Sequence, residues 1–589
     1  MENIINSYKS RINTHEAEVS TITKQLRLSS LVRLVIFVIA IAVVYFLWLQ
    51  WLYVAIVFIA TIALFLFLVS RHEDLKQKRA YHQQVVEINE RELRVLNREY
   101  NDLPDGAEHQ IEDHEYSRDI DLLGAGSFYQ YINRTALKNG SEALIEKLLA
   151  NQTNDIVSRQ QAVEELADQL DYRQEFEATA RLLDNKIRPV SVIDWIKDYK
   201  PFVPQIFSWL GYLQFALSVL SIVLYSLDLI SGYWIVALLL LGLGITGKYV
   251  ARIVSLDKYL SELEGFFLQY GKLLQLVENL EVKSEVLINL RKEILTDGKP
   301  ASKRLLEFSK AVTRLDQGSN MLLGIFVNGF GLYNLKQVHS IESWIMENKQ
   351  FIKPWLDTVA QLDAISSLGN FAYNHPDYVF PDIKSGDFEL KSKDAAHPLL
   401  DPEKAIGNDI HISQGEFYII TGANMAGKST FLRTVSISII MANVGLPLCA
   451  KQATYAPIKL ITSMRTSDSL QDDESYFFSE LKRLKYIVDK LEDEKYLIVL
   501  DEILKGTNSV DKASGSRKLI ERLTQNKATG IIATHDLSLT EVAHEYEKIS
   551  NYYFDAQIIN DELFFDYTFK DGVAQNMNAS FLLKKMGIV

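Results

Sequence analysis

The sequence predicts a multidomain protein in which α-helical transmembrane hairpins and a helical core precede an α/β P-loop (ABC-type) ATPase domain. Three observations predict it. Residues 34–69 are almost uninterrupted apolar sequence, and a second apolar stretch lies at about 206–247. The segments around them carry apolar positions scattered among charges, as solvated helices do. The last third holds three short apolar runs, beside which stand residues that handle phosphate: a glycine-rich loop, an Asp-Glu pair and a histidine. At 589 residues the chain is long enough for three or four domains, and its 48% hydrophobic content is unevenly spread among them.

Residues 1–30 read as a helix and 31–70 as a transmembrane hairpin. At about 1.5 Å per residue the apolar run is too long for one span and suits two helices that turn near Gln50-Trp51. Trp48, Trp51 and Tyr53 near that turn suit an interfacial aromatic belt. A signal peptide does not fit, because the run begins far from Met1, is too long and ends without a small-residue cleavage site. A helical pair buried in a soluble core is the other reading, and the missing polar face argues against it. Residues 71–117 read as a helical or coiled linker that includes the turn cluster Asn101-Asp-Leu-Pro-Asp-Gly106.

Residues 118–380 read as a helical core holding a second hairpin, with apolar segments at about 206–227 and 233–247. Ser208, Gln214, Ser218 and Ser221 in its first arm leave a buried core helix as the alternative to a span. Both hairpin turns lack Lys and Arg. Lys24, Arg27, Arg33, Arg71, Lys76, Lys78, Arg79, Lys248 and Arg252 flank the outer ends, so the positive-inside rule puts both termini and the ATPase domain in the cytoplasm of a multi-pass membrane protein. Beyond the hairpin, 255–295 reads as one long helix, Asp297-Gly-Lys-Pro300 as its turn and 302–315 as a returning helix. The single Cys449 excludes a disulfide within the chain and a Cys-cluster metal site.

Within 381–589, Thr421-Gly-Ala-Asn-Met-Ala-Gly-Lys-Ser-Thr430 fits the phosphate-loop pattern G-x-x-x-x-G-K-[ST]. It stands between an apolar strand at 417–421 and a helix from Ser429 whose apolar face includes Phe431, Leu432, Val435 and Ile439, which is the context the motif needs. Gly422 and Gly427 would let backbone N–H groups face a phosphate. Ala423, Asn424, Met425, Ala426 and Thr430 complete the nucleotide-binding set, Lys428 would reach the terminal phosphates, and Ser429 would supply a Mg²⁺ ligand. Tyr496-Leu-Ile-Val-Leu-Asp501-Glu502 reads as a buried parallel strand ending in two carboxylates. Asp501 would hold Mg²⁺ and Glu502 would polarise the attacking water of ATP hydrolysis. A third strand, Gly530-Ile-Ile-Ala-Thr534, leads to His535, where ABC-type ATPases carry a switch histidine that senses the γ-phosphate. Between the first two motifs, Asp472-Asp-Glu-Ser-Tyr-Phe-Phe-Ser-Glu-Leu481 is an acidic turn leading into a helix, with Ser475 placed as its N-cap.

Together these segments resemble the ATPase domain of the MutS family. The family's TGPNMGGKST is matched by TGANMAGKST from Thr421 to Thr430, and its S-T-F-x-x-E signature core by Ser475-Tyr-Phe477-Phe-Ser-Glu480. Its D-E-[IL]-G-R-G-T is matched by Asp501-Glu-Ile-Leu-Lys-Gly-Thr507, and its ATHxxxL by Ala533-Thr-His535-Asp-Leu-Ser-Leu539. Looser similarity runs from Arg118: Ser127 to Thr135, Gly140 and Arg159 to Val163 resemble the start of the family's lever domain. His397-Pro398, Asn408-Asp409-Ile410 and the closing stretch Ala579 to Ile588 resemble parts of its ATPase domain.

The resemblance implies a homodimer that sandwiches ATP, with Ser475 of one subunit binding the γ-phosphate held by the other, and Asn424 near the phosphates. Leu504 and Lys505 replace the family's Gly-Arg pair in the loop crossing the dimer. It also brings DNA mismatch repair and DNA binding as the family's functions. The only Phe-x-Glu, the wedge of mismatch recognition, is Phe478-Ser-Glu480 inside the signature helix, and with a net charge of −13 no basic stripe marks a DNA path. The reading is a membrane-anchored MutS-like ATPase with DNA as one partner class and the lipid bilayer as another. The alternatives are an ATP-driven conformational machine acting on membrane or protein partners, and an ABC-type transporter.

Overall fold

A computed structural model describes residues 2–47, 49–183, 187, 189–296, 298–319, 321–465, 476–492, 494–505, 507–559 and 562–575. The chain begins with two long helices, α1 (Glu2–Phe46) and α2 (Trp51–Leu96), which run side by side as a hairpin. Each continues unbroken from polar into apolar sequence, through the boundaries expected near 30 and 70. The break falls at 47–50, where Gln50 N donates to the Leu47 carbonyl at 2.7 Å. Trp48 and the Trp51 side chain lie outside the described residues. The apolar halves are bare: Leu34, Phe37, Ile41, Ile56, Phe58 and Phe67 are all exposed. At the other end Tyr8, Val85, Ile88 and Glu92 are buried against the helical core.

That core comprises α3 (Phe128–Ile132), α4 (Lys138–Leu149), α5 (Ile156–Ala167), α6 (Leu170–Arg181), α7 (Pro189–Asp198), α8 (Phe207–Ser226), α9 (Tyr233–Gly247), α10 (Val250–Asn279), α11 (Glu285–Glu293), α12 (Ala301–Gly318), α13 (Met321–Gly331), α14 (Tyr333–Asn348) and α15 (Ile352–Asn374). A two-residue ladder, β1 (Leu295–Thr296) with β2 (Lys299–Pro300), turns the chain between α11 and α12. Asp297, part of the expected turn, lies outside the described residues. The long helix expected over 255–295 is two helices. The Glu165 carboxylate on α5 accepts from Lys283 N at 2.6 Å and Ser284 N at 2.8 Å, and these bonds hold the chain between α10 and α11 out of helix. The buried α15 runs through the middle, against α4, α5 and α11, and carries the chain toward the carboxyl-terminal α/β domain.

The carboxyl-terminal α/β domain has two sheets. The smaller orders β3 (Asp382–Ile383), β7 (Gln452–Ala456), β4 (Glu389–Ala395) and β5 (Asn408–Ser413). The larger runs β12 (Glu562–Asp571), β11 (Ile549–Ile559), β6 (Phe417–Gly422), β10 (Thr529–Ala533), β9 (Tyr496–Asp501), β8 (Lys459–Ser463), parallel except for the β11–β12 hairpin. Its helices are α16 (Lys428–Val444), α17 (Tyr476–Lys490) and α18 (Ser509–Gln525). Fully buried apolar strands read as continuous runs because helices cover both faces of a parallel sheet, and β6 and β10 are buried at every residue. One apolar core extends from the helical core into this domain.

By length and composition, α1, α2 and α8 can each cross a membrane. α9 qualifies only together with α10, from which it is bent by 65°. Alone, its 15 residues span roughly 22 Å against a hydrocarbon core of about 30 Å. The four expected spans are therefore three, or four if the bent pair serves as one.

Candidate functional site

β6 delivers the chain to the carboxyl edge of the larger sheet, the edge where open α/β sheets bind ligands. There the chain turns through Gly422 (φ 148°), Met425 (φ 68°) and Gly427 (φ 110°) into α16. Space as well as angle demands glycine at 422, since a Cβ would lie 2.6 Å from the Phe554 carbonyl oxygen. Ala423 and Ala426 face inward and Asn424, Met425, Ser429 and Thr430 are exposed along the loop. β10 lies between β6 and β9, so the residues after β9 and β10 come up beside the loop.

Five expected residues meet at this edge. Lys428 Nζ donates to the carbonyls of Gly422 (2.9 Å) and Ala423 (3.0 Å) and lies 3.4 Å from His535 Nε2. Burial lowers the Lys428 pKa, and Glu502 and Asp501 oppose that shift. Ser429 Oγ donates to Asp501 Oδ2 at 2.7 Å. Glu502 Oε1 meets His535 Nε2 at 2.6 Å. That hydrogen bond holds the Glu502 carboxyl down at about 2, against the upward push of burial. Glu502 (φ 52°) and Leu504 (φ 58°) both adopt the left-handed region, at roughly 1–2 kcal/mol each. At 504 the family pattern has glycine. Here the leucine side chain is buried over Gly515, where a Cβ would come within 2.7 Å of Leu504 Cδ1.

The loop borders a cleft of about 420 Å³ whose other wall includes His397, Leu400, Ile406 and Tyr567. His397 is nine-tenths buried, burial lowers its pKa to about 4, and its Nε2 has no partner among the described residues. Asn408 ties that wall together, donating to the Tyr567 carbonyl at 3.0 Å and accepting from Phe569 N at 2.7 Å. The sequence marked His397 and Asn408 as matching segments without a role and did not mark Tyr567 or Phe554. Pairing between positions about 160 apart leaves no local signal, although the Asn-Asp pair before β6 was a hint.

Ser475 lies outside the described residues, as do Gly506 and the closing stretch 579–588. The helix after Ser475 is present as α17. Its Glu480 is 3% exposed and accepts from Leu504 N at 2.5 Å and Lys505 N at 3.1 Å, joining the signature helix to the loop that follows Glu502. A further link starts at the base of α2, where the Arg98 guanidinium donates to the carbonyls of Pro398 (2.8 Å) and Leu400 (2.9 Å) behind the cleft wall.

A cation, two adjacent hard oxygen donors and a carboxylate against an imidazole are the parts required to bind terminal phosphates, seat a divalent ion and orient water. Among the described residues no three His, Cys, Asp or Glu side chains group to hold a metal by themselves. The Ser429–Asp501 pair instead fits Mg²⁺, which takes one or two protein ligands and completes its shell with phosphate and water.

Residues 418–584 match the MutS domain V family. Over 233 residues the chain is 32% identical to MutS protein homolog 4 of Homo sapiens, covering 38% of this chain and 24% of that protein. It is 33% identical over 238 residues to the DNA mismatch repair protein MutS of Finegoldia magna, covering 39% of this chain and 28% of that protein. The chain thus spans about a quarter of the length of the curated relatives it matches. The carboxyl-terminal part of the chain is a MutS domain V, and it is over that part that the chain is similar to MutS proteins.

Proposed function

We propose that this protein is a membrane-anchored ATPase that binds and hydrolyses Mg²⁺-ATP between two copies of its MutS-like domain. The meeting of Lys428, Ser429, Asp501, Glu502 and His535 at one sheet edge carries the reading. Mg²⁺ on Ser429 and Asp501 would neutralise charge on the β- and γ-phosphates. Lys428 binds the terminal phosphates, Glu502 orients and deprotonates the attacking water, and His535 holds Glu502 ionised. In the dimer Ser475 of the opposite subunit completes the γ-phosphate site. Glu502→Gln should lower turnover by about 10²–10⁴-fold with nucleotide binding retained, and Lys428→Ala should weaken binding itself. Wild-type turnover in Glu502→Gln, measured on detergent-solubilised protein, overturns the assignment.

The bilayer reading rests on the exposed apolar halves of α1 and α2, on α8 with a turn that lacks Lys and Arg, and on basic residues at the outer ends. It places both termini and the ATPase domain in the cytoplasm. Mismatch repair, in the names of the relatives, belongs to whole proteins of which a quarter is matched. A different output is favoured by the bonds that join α2 to the wall of the cleft: ATP-driven movement of the helical core against the membrane. ATPase rates with homoduplex, mismatched and branched DNA at low and moderate salt separate the two. Stimulation that survives moderate salt makes DNA the partner, and turnover indifferent to every DNA supports the membrane-coupled machine.

A further inference from the structure

The sequence between Asp316 and Lys336 carries no charged residue, and within it lies α13, an eleven-residue helix that sits between the core helices α12 and α14. It is too short to cross a bilayer and shows no length signal of its own. Its neighbours are nevertheless the arms of the second hairpin. A Cβ at Gly211 of α8 would lie 2.7 Å from the Gly331 carbonyl oxygen, and one at Gly242 of α9 would overlap the Gly329 carbonyl oxygen. Gln214 of α8 donates to the carbonyls of Leu238 (2.9 Å) and Gly329 (3.3 Å), and Ser218 donates to that of Phe330 (3.3 Å). Close backbone approach at glycines, with Ser and Gln bonding across helices, is how helices associate where hydrocarbon removes the hydrophobic drive.

The rest of the α13 surface shows Ile325, Phe326 and Val327, all exposed, and Phe215 and Leu220 of α8 and Leu240 of α9 are exposed as well. A water-facing helix with this face would be an isolated apolar patch. Here it extends the apolar surface of the hairpin. The corners at both ends are closed from within by the buried Asn328, whose amide donates to the carbonyls of Gly318 (3.4 Å) and Gly324 (2.9 Å) and whose oxygen accepts from Asn334 N at 2.8 Å. Internal satisfaction of backbone groups at a chain reversal is what a lipid environment requires.

We propose that α13 is embedded in the hydrocarbon of the bilayer against α8 and α9, so that the tip joining α12 to α14 is itself a membrane element. The proposal rests on the membrane reading of the second hairpin. It makes the acyl chains the direct partner of the helical core. Movement of α12 and α14 then displaces a helix already in lipid. Glu342 on α14 fixes the base of α8 to the same unit, accepting from Phe202 N (2.7 Å), Val203 N (3.1 Å) and the Tyr199 hydroxyl (3.1 Å).

The test uses the full chain in phosphatidylcholine–phosphatidylglycerol vesicles, with Cys449→Ala as background and nitroxides on single cysteines. Phe326→Cys and, independently, Ile325→Cys report on α13. Leu220→Cys reports on α8, and Glu347→Cys on the far end of α14. Power saturation should show the α13 and α8 labels relaxed by oxygen and shielded from a water-soluble nickel chelate, with the reverse at 347. If the α8 label lies in lipid and both α13 labels meet nickel, the inference falls and the membrane reading stands. If the α8 label also meets nickel, both fall.

Discussion

The two apolar hairpins distribute their polar chemistry differently. Between residues 34 and 69 of the α1–α2 hairpin no side-chain hydrogen bond occurs among the described residues, and its polar contacts gather at the base. There Glu92 Oε1 accepts from Arg134 Nε and Arg91 Nη2, both at 2.7 Å, and its Oε2 from Asn370 (2.8 Å) and Asn374 (2.9 Å) on α15. Arg91 also forks onto Glu177 of α6 at 2.5 and 3.1 Å. The α8–α9 hairpin instead carries Gln214, Ser218 and two glycine contacts within its apolar length; all of them reach α13, and Gln214 also bonds Leu238 of α9. One hairpin is a plain stalk clamped at its foot, and the other is knitted to the helical core along its length. The first has the form of an anchor and the second that of a moving part.

The comparison is broken most severely at Glu92. Burial alone would raise its pKa, but Arg134 and Arg91 pull the carboxyl down to about 2. Its unfolded value is about 4.3, so the folded pKa is the depressed one. The stabilisation is therefore fully present above about 4.3 and is lost as pH falls toward about 2. Glu92→Ala leaves two buried guanidiniums short of a partner and should cost about 3–5 kcal/mol. Thermal unfolding in detergent should show that loss at neutral pH and a flattened acid limb between about pH 4 and 2. An unchanged midpoint would mean that the α1–α2 hairpin is not held at its foot.

Gly242→Leu should cost less, about 1–3 kcal/mol from forced separation of α9 and α13. Gly244→Leu, two residues along the same helix, is its control, since nothing lies within 4 Å of a Cβ there. Equal destabilisation by the two substitutions would remove the distinction between a knitted hairpin and a plain one.

What was legible follows the range of the interactions. The phosphate loop, Asp501-Glu502 and His535 are each a short run ending a buried strand, so their chemistry could be read locally, and the parallel order of β6, β10 and β9 then had to bring them together. The cleft's second wall was not legible, because Asn408 and Tyr567 meet only through a hairpin that closes far along the chain. Nor was the break before α11, which depends on Glu165 of another helix. α13 escaped because an eleven-residue, mostly apolar helix satisfies a buried core as well as a membrane. The polar residues of α8 raised the same ambiguity, and their partners on α9 and α13 give them an interior face without removing the apolar exterior.

The smallest expected effect is at Gln214. Its amide reaches the Leu238 carbonyl within α9 and the Gly329 carbonyl in the last turn of α13, so Gln214→Leu removes the bonds that cross the interface. A loss of about 0.6–1.7 kcal/mol is expected, the range for interhelical hydrogen bonds in membranes. The double variant Gln214→Leu with Gly242→Leu sharpens the comparison further. Both residues act on Gly329, so their effects should fall short of additive by a measurable interaction energy. Full additivity in thermal unfolding would mean that α8 and α9 hold α13 independently, and that the second hairpin is two separate attachments rather than one unit.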